Sequence, residues 1–149
     1  MDLVEVYADV ACPFAHAGLA RFVAYRGERG RTEPRLRVRA WPLELVNGSP
    51  FDGSALAPKV EALRAGVAPD RFGGFDPAGF PRSSLPAMAS EAAAHRASPE
   101  VGERFSLAVR SSCRAISLVA VSPVAGSMKC ASTREPARES AAETVSAWS

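Results

Sequence analysis

The sequence predicts an α/β fold that opens with a strand–helix–strand unit and continues into a helical insert. Three observations predict it. LVEVYA at residues 3–8 is short, rich in β-formers and apolar on both faces, as a buried strand of a parallel or mixed sheet is. Residues 13–27 then switch to helical spacing, and RLRVRAW at 35–41 alternates arginine with apolar residues. Strand, helix and strand in so short a span make a βαβ unit, whose functional residues belong at the carboxyl end of the strand.

Each element has its own signals. LVEVYA is expected to be a central strand, and Asp9–Cys12 the turn after it. The helix opens with Pro13 at its first position and closes at Gly27. Phe14, Gly18, Phe22 and Tyr25 form one side, with Leu19 and Val23 beside them. RGERGRTEP at 26–34 is a polar connection. In the second strand Arg35, Arg37 and Arg39 are expected on a solvated face, with a hold on an acidic substrate as the rarer alternative.

NGSPFDGSALAP at 47–58 breaks the regular pattern, and helical stretches follow at 58–65, 85–95 and 99–110, with a shorter turn near 69–73. Ser98-Pro99-Glu100 is an N-cap followed by proline at the first helical position, and Val101, Phe105 and Leu107 to Val109 give that helix an apolar side. Phe72, Phe75 and Phe80 lie among glycines and prolines, as aromatics that anchor a loop to the core or line a substrate site. The expected organisation is a βαβ unit over 1–46, a helical insert over 47–110 and an atypical segment over 111–149.

Composition narrows the function. The chain has 149 residues, 47% hydrophobic and 23% charged, an ordinary globular balance that excludes collagenous, disulfide-dense and wholly disordered classes. A net charge of +2 is too mild for a dedicated nucleic-acid binder. No apolar run approaches the ~20 residues that span a bilayer, and the acidic start MDLVEVYADV lacks the basic region of a signal peptide. The expectation is a cytoplasmic protein with neither nucleic-acid nor membrane partners. Cys12, Cys113 and Cys130 are an odd number without a C-x-x-C pair, so neither a zinc site nor a disulfide framework is expected.

One constellation carries chemistry. Cys12 stands at the junction of strand and helix in ADVACPFAHAGL, where unpaired amides and the positive end of the helix dipole favour thiolate, the nucleophilic form. The alternative is a small buried hydrophobe at a strand end. His16 follows at the i, i+4 spacing that brings side chains to one helix face. It is a candidate for assisting the thiol, by its charge when protonated or as a base when neutral, against the alternative of a solvent-touching histidine. Asp9 and Glu44 flank the site at two strand ends, where a buried acid either opposes thiolate or relays its proton. His95, on an alanine-rich helix, has no visible partner in the sequence and is expected to be structural.

The stretch VEVYADVACPFAHAGLARF resembles the active-site segment of the thioredoxin superfamily, in particular its DsbA-like branch, in which a helical domain follows the first βαβ unit. WPLELVNG at 41–48 and FPRSSLPAMASEAAA at 80–94 are similar to the same branch. The resemblance covers residues 3 to about 110 and implies a thioredoxin-like fold with Cys12 as the attacking cysteine of a C-P-x-C motif. Ala15 stands where the resolving cysteine belongs, so the resemblance leaves monothiol exchange, with a thiol or disulfide substrate and glutathione as the external co-substrate. Pro13 and Phe14 are the cofactor-side residues under this reading; neither a resident cofactor nor a metal is expected. The layout is also similar to kappa-class glutathione transferases and hydroxychromene-carboxylate isomerases, which makes a glutathione-dependent transferase or isomerase the alternative enzyme. A non-catalytic remnant or binding module is the third reading.

The segment from Ser111 has another character: nine of its 39 residues are serine and eight alanine, and only ISLVAV reads as a strand. The DsbA-like branch returns here to its sheet through a cis-proline loop, for which Ser122-Pro123 is the one candidate. The expectation is that the closing half of the sheet is missing and that 111–149 is disordered or translated out of frame, with Cys113 and Cys130 accidental.

Overall fold

A computed structural model describes residues 2–111. They form a mixed α/β unit: β1 (Leu3–Ala8), α1 (Pro13–Glu28), β2 (Arg35–Ala40), α2 (Leu43–Val46), α3 (Gly53–Ala65), α4 (Leu85–Ala97) and α5 (Pro99–Ser111). Ile116–Val121, Ser122-Pro123, Cys113, Cys130 and the expected fate of the segment that holds them lie outside the described residues.

β1 and β2 pair in parallel, Leu3 opposite Arg35 through Ala8 opposite Ala40, with α1 as the connection. β1 was expected in the middle of a sheet; among the described residues it has β2 as its one strand partner. Ala8, Leu19, Leu36 and Val38 form the core between sheet and α1, joined by Val4, Val6, Ala15, Phe22 and Val23. Of the side read from the sequence, Phe22 packs in the core with Leu19 and Val23 beside it, whereas Phe14 and Tyr25 are each 56% exposed. The helix also runs past Gly27 to Glu28, and its left-handed terminus is Gly30, at φ +62°.

A bare two-stranded sheet is marginal in water, and the helical insert supports it in a specific way. Arg35 N–H donates to the Asp2 carbonyl at 2.9 Å and Trp41 N–H to that of Ala8 at 3.3 Å, so odd-numbered amides of β2 point to β1. The even-numbered ones point outward, and side chains from the helices take them up. Glu103 Oε2 on α5 accepts from Leu36 N–H at 2.8 Å, and His95 Nε2 on α4 accepts from Val38 N–H at 3.2 Å. Glu103 also receives both terminal amino groups of Arg26, at 2.7 Å each, and one from Arg35 at 3.3 Å. Burial pushes the Glu103 carboxyl up, but its bonds to Arg26 and Leu36 and the nearby Arg26 and Arg35 charges outweigh that and hold it below the usual carboxylate range.

This arrangement supplies partners that the sequence leaves unnamed. His95 has partners: because its Nε2 accepts from Val38, the Ser106 hydroxyl 3.0 Å away donates to the same nitrogen. Position 102 is glycine for the same reason, since a Cβ there would stand 1.9 Å from the His95 ring. The arginines of β2 alternate with buried Leu36 and Val38, as expected of a half-solvated strand, and on their face Arg35 meets Glu103 while Arg37 and Arg39 meet Glu5 at 3.6 and 2.7 Å. On α5 the buried residues are Gly102, Glu103, Ser106, Val109 and Arg110, whereas Val101 is exposed. The Ser98 cap is as expected, its hydroxyl accepting from Val101 N–H at 3.1 Å.

In the insert, α3 starts five residues before Pro58, capped by Asp52 on Ser54 N–H at 2.9 Å, and carries the proline inside. Residues 69–73 form turns without a helix.

Replacing Glu103 with alanine leaves Arg26 and the Leu36 amide without their common acceptor. The expected cost is about 3 kcal/mol, the low end for breaking a buried pair, because Arg26 keeps the Pro34 carbonyl at 2.8 Å. Urea denaturation reads it; a midpoint equal to the parent's contradicts the role given to this carboxylate.

Candidate functional site

Cys12 is the N-cap of α1, at φ −78° and ψ 114°, directly beyond the carboxyl end of β1. Its backbone turns there, Cys12 N–H donating to the Asp9 carbonyl at 3.2 Å and His16 N–H to the Cys12 carbonyl at 3.1 Å. Pro13 has no amide hydrogen, so the free donors of the first turn are the amides of Phe14 and Ala15. The Cys12 side chain makes no capping hydrogen bond and is partly exposed.

The turn is braced from behind by Asp9, which is 1% exposed. Its Oδ1 accepts from Ala11 N–H at 2.8 Å; its Oδ2 accepts from Leu43 N–H at 2.7 Å and from the Ser84 hydroxyl at 3.0 Å. One carboxylate thereby ties the β1–α1 turn to the starts of α2 and α4. Glu44, the other acid expected to flank the site, accepts from the Ser83 hydroxyl at 2.9 Å.

Pro13 is buried and, with Cys12, His16, Phe72, Phe75 and Phe80, lines a crevice of about 20 Å³, room for one water. The aromatic loop thus anchors to the core and edges the cysteine at once. Phe72 is held at φ 64°, outside the ordinary range for a bulky residue, with its ring centroid 5.0 Å from that of His16 and packed on Ala17, Leu63 and Ala68. Phe14, named with Pro13 on the cofactor side, points its ring to solvent.

His16 is buried, 7% exposed, and not a solvent-touching residue. Its Nδ1–H donates to the Arg110 carbonyl at 2.5 Å, which leaves Nε2 as the bare nitrogen. Among the described residues no hydrogen bond joins its ring to the Cys12 sulfur; the contact at i, i+4 is the backbone bond. Burial lowers the His16 pKa below the ordinary 6.5; the bond to Arg110 opposes this, and the Arg71 and Arg110 charges reinforce it. His95 is lowered as well, by burial first.

Among the described residues no group of three or more His, Cys, Asp or Glu is placed to hold a metal, and no helix is long and apolar enough to cross a membrane. No protein-family model matches the chain, and neither a curated protein nor a solved structure matches it.

Sequence reasoning missed Arg110 and Glu91. Arg110 donates from Nη1 and Nη2 to the Glu91 carboxylate, and both side chains are almost wholly buried. The signal was present as the helical spacing of Glu103, Ser106 and Arg110, but polar residues at that spacing read as a solvent face.

Two histidines kept neutral give a pH dependence with a definite sign. The unfolded chain takes up protons on His16 and His95 near pH 6.5 while the folded chain resists. Their contribution is complete above 6.5 and is lost as pH falls through the lower folded values. That of Glu103 is complete above its ordinary value and is lost at lower pH still. Thermal melts from pH 8 down to 5 are expected to show a falling midpoint, and imidazole proton NMR to place both midpoints below 6.5. A histidine titrating at or above 6.5 contradicts the assignment.

Proposed function

We propose that the chain is a thioredoxin-like protein of the DsbA-like kind that carries out thiol–disulfide exchange through a single nucleophile, Cys12. The observation that carries this reading is the position of Cys12, a partly exposed N-cap directly beyond a β-strand, with two first-turn amides free beside it. A thiolate is a far better acceptor for those amides than a thiol, and the positive end of the helix dipole acts in the same direction. The parallel βαβ start followed by helices supports the fold half of the reading.

The reaction balances without an outside oxidant. The Cys12 thiolate attacks one sulfur of a disulfide, a new sulfur–sulfur bond forms, and the other half leaves as a thiolate with the bonding pair. Ala15 has no sulfur with which to expel the mixed disulfide, so a second, external thiolate attacks it and Cys12 departs as thiolate. Glutathione serves as that small thiol. His16, neutral and bonded to Arg110, adds no positive charge to the sulfur, and its part is to hold the first turn of α1 against α5.

The partly exposed sulfur of Cys12 is open to a disulfide approaching from solvent, which supports exchange.

Incubation with oxidised glutathione, followed by intact-mass and peptide mapping, is expected to give one glutathionyl group on Cys12, removed by added thiol and absent from Cys12→Ser. Reaction at Cys113 and Cys130 with Cys12 untouched overturns the reading. Conjugation of glutathione to an organic electrophile without any mixed disulfide overturns it in favour of the transferase.

A further inference from the structure

The two side chains that cap the outer edge of β2 differ in one respect. Glu103 keeps oxygen lone pairs after taking up a proton, whereas His95 holds the Val38 N–H with the single lone pair of a neutral ring, at Nε2. We propose that His95 is an acid-sensitive latch: a proton taken from solvent at Nε2 turns the acceptor of the Val38 amide into a donor and releases the end of α4 from β2, while Glu103 still holds α5 on the strand. The latch stands apart from the reading of Cys12 and needs no reaction there.

The geometry supplies both states. In the neutral ring Nε2 accepts from Val38 N–H at 3.2 Å and from the Ser106 hydroxyl at 3.0 Å, so the ring hydrogen is on Nδ1, which is buried without a partner among the described residues. A further proton has only Nε2 to go to. Once there, it faces the hydrogen of the Val38 amide, but the Ser106 hydroxyl rotates and accepts it. Ser106, wholly buried, thus serves the ring in either state and Val38 in one alone. Gly102, where a Cβ would stand 1.9 Å from Nδ1, seats the ring directly on α5, so the contact that gives way is the one with the strand.

The charges around the ring set the direction. Burial is the first cause that keeps His95 from charging at its ordinary 6.5; Glu91 on α4 favours the proton, and Arg37 and Arg39 from β2 and Arg110 from α5 oppose it. The latch is therefore closed at 6.5 and above, and it opens as pH falls through the lower midpoint of the folded chain. Glu103, held below the usual carboxylate range, is still charged at that stage. His16 is no latch of this kind, because its ring donates from Nδ1 to the Arg110 carbonyl and keeps that bond when charged.

The test is amide hydrogen exchange on the full chain, read by NMR from pH 8 to 5 as protection corrected for intrinsic exchange, with the His95 ring titrated in the same samples. Protection at Val38 is expected to fall about tenfold or more with the midpoint of that ring, as for a buried donor that loses its acceptor. Leu36, held by Glu103, and Arg37 and Arg39, whose amides face β1, are expected to keep theirs. His95→Gln, whose amide oxygen accepts without titrating, is expected to remove the fall. Ser106→Ala takes from the charged ring its acceptor and is expected to move the ring midpoint and the fall at Val38 to lower pH together. Unchanged protection at Val38 through the His95 midpoint, simultaneous loss at Leu36, Arg37 and Arg39, or the same fall in His95→Gln overturns the proposal.

Discussion

The Glu103 carboxylate on α5 gathers donors from two other elements at once, Arg26 at the end of α1 and Arg35 and the Leu36 amide on β2. A strand edge with bare amides invites pairing with another chain, and proteins often cover such edges with a helix. Here the covering is chemical as well as steric, because Glu103 and His95 accept the outward amides of β2 directly. A buried ion pair by itself is weak evidence for stability, since desolvation consumes much of the attraction. The importance of this one lies in what removal would expose, a buried arginine and a buried amide with no other shared acceptor.

The same helix carries the constraint to the site. α5 is fixed near its start by Glu103 and near its end by Arg110, whose guanidinium is held by Glu91 on α4 and whose carbonyl receives His16 Nδ1–H. His16 lies one turn after Cys12, so the start of α1 is positioned by the end of α5. From the opposite side Asp9 ties the preceding turn to the starts of α2 and α4. The cysteine therefore sits on a turn fixed by three elements while its own sulfur makes no hydrogen bond to the described residues.

The order of elements was legible in the sequence because local signals carry it. A short run rich in β-formers marked the first strand and alternation the second, Pro13 and Ser98-Pro99 marked two helix starts, and the position of Cys12 between strand and helix followed from those boundaries alone. Faces and partners were not legible. The aromatic side of α1 looks like a core stripe, yet of its aromatics Phe22 alone packs inward while Phe14 and Tyr25 are exposed, and Ala15 and Leu19 join it on the strands and Ala17 packs on Leu63 and Ala68. On α5 the inward row is Gly102, Glu103, Ser106 and Arg110, whose acceptors and donors lie up to 94 positions away. Each reads as polar surface until those partners are known. α2 is a four-residue turn too short for any periodicity, and the first turn of α3 was hidden by its proline and its glycine. Gly53 opens that helix because a Cβ would stand 2.1 Å from the Pro77 carbonyl oxygen, a requirement set by a loop 24 residues on.

The burial of His16 also changes how the thiol chemistry has to be understood. A protonated histidine one turn from a cysteine would be the simplest activator, but this ring is sealed between Phe72 and α5, with its one hydrogen committed to a carbonyl. Charging it means bringing a cation into a space already faced by Arg71 and Arg110. Under the exchange reading, the sulfur then has the backbone as its source of stabilisation, from the two first-turn amides and the helix dipole. These are present at every pH at which α1 is folded, whereas an imidazolium would be lost above its own titration. Under that reading Ala15 leaves the second step to the concentration of the external thiol.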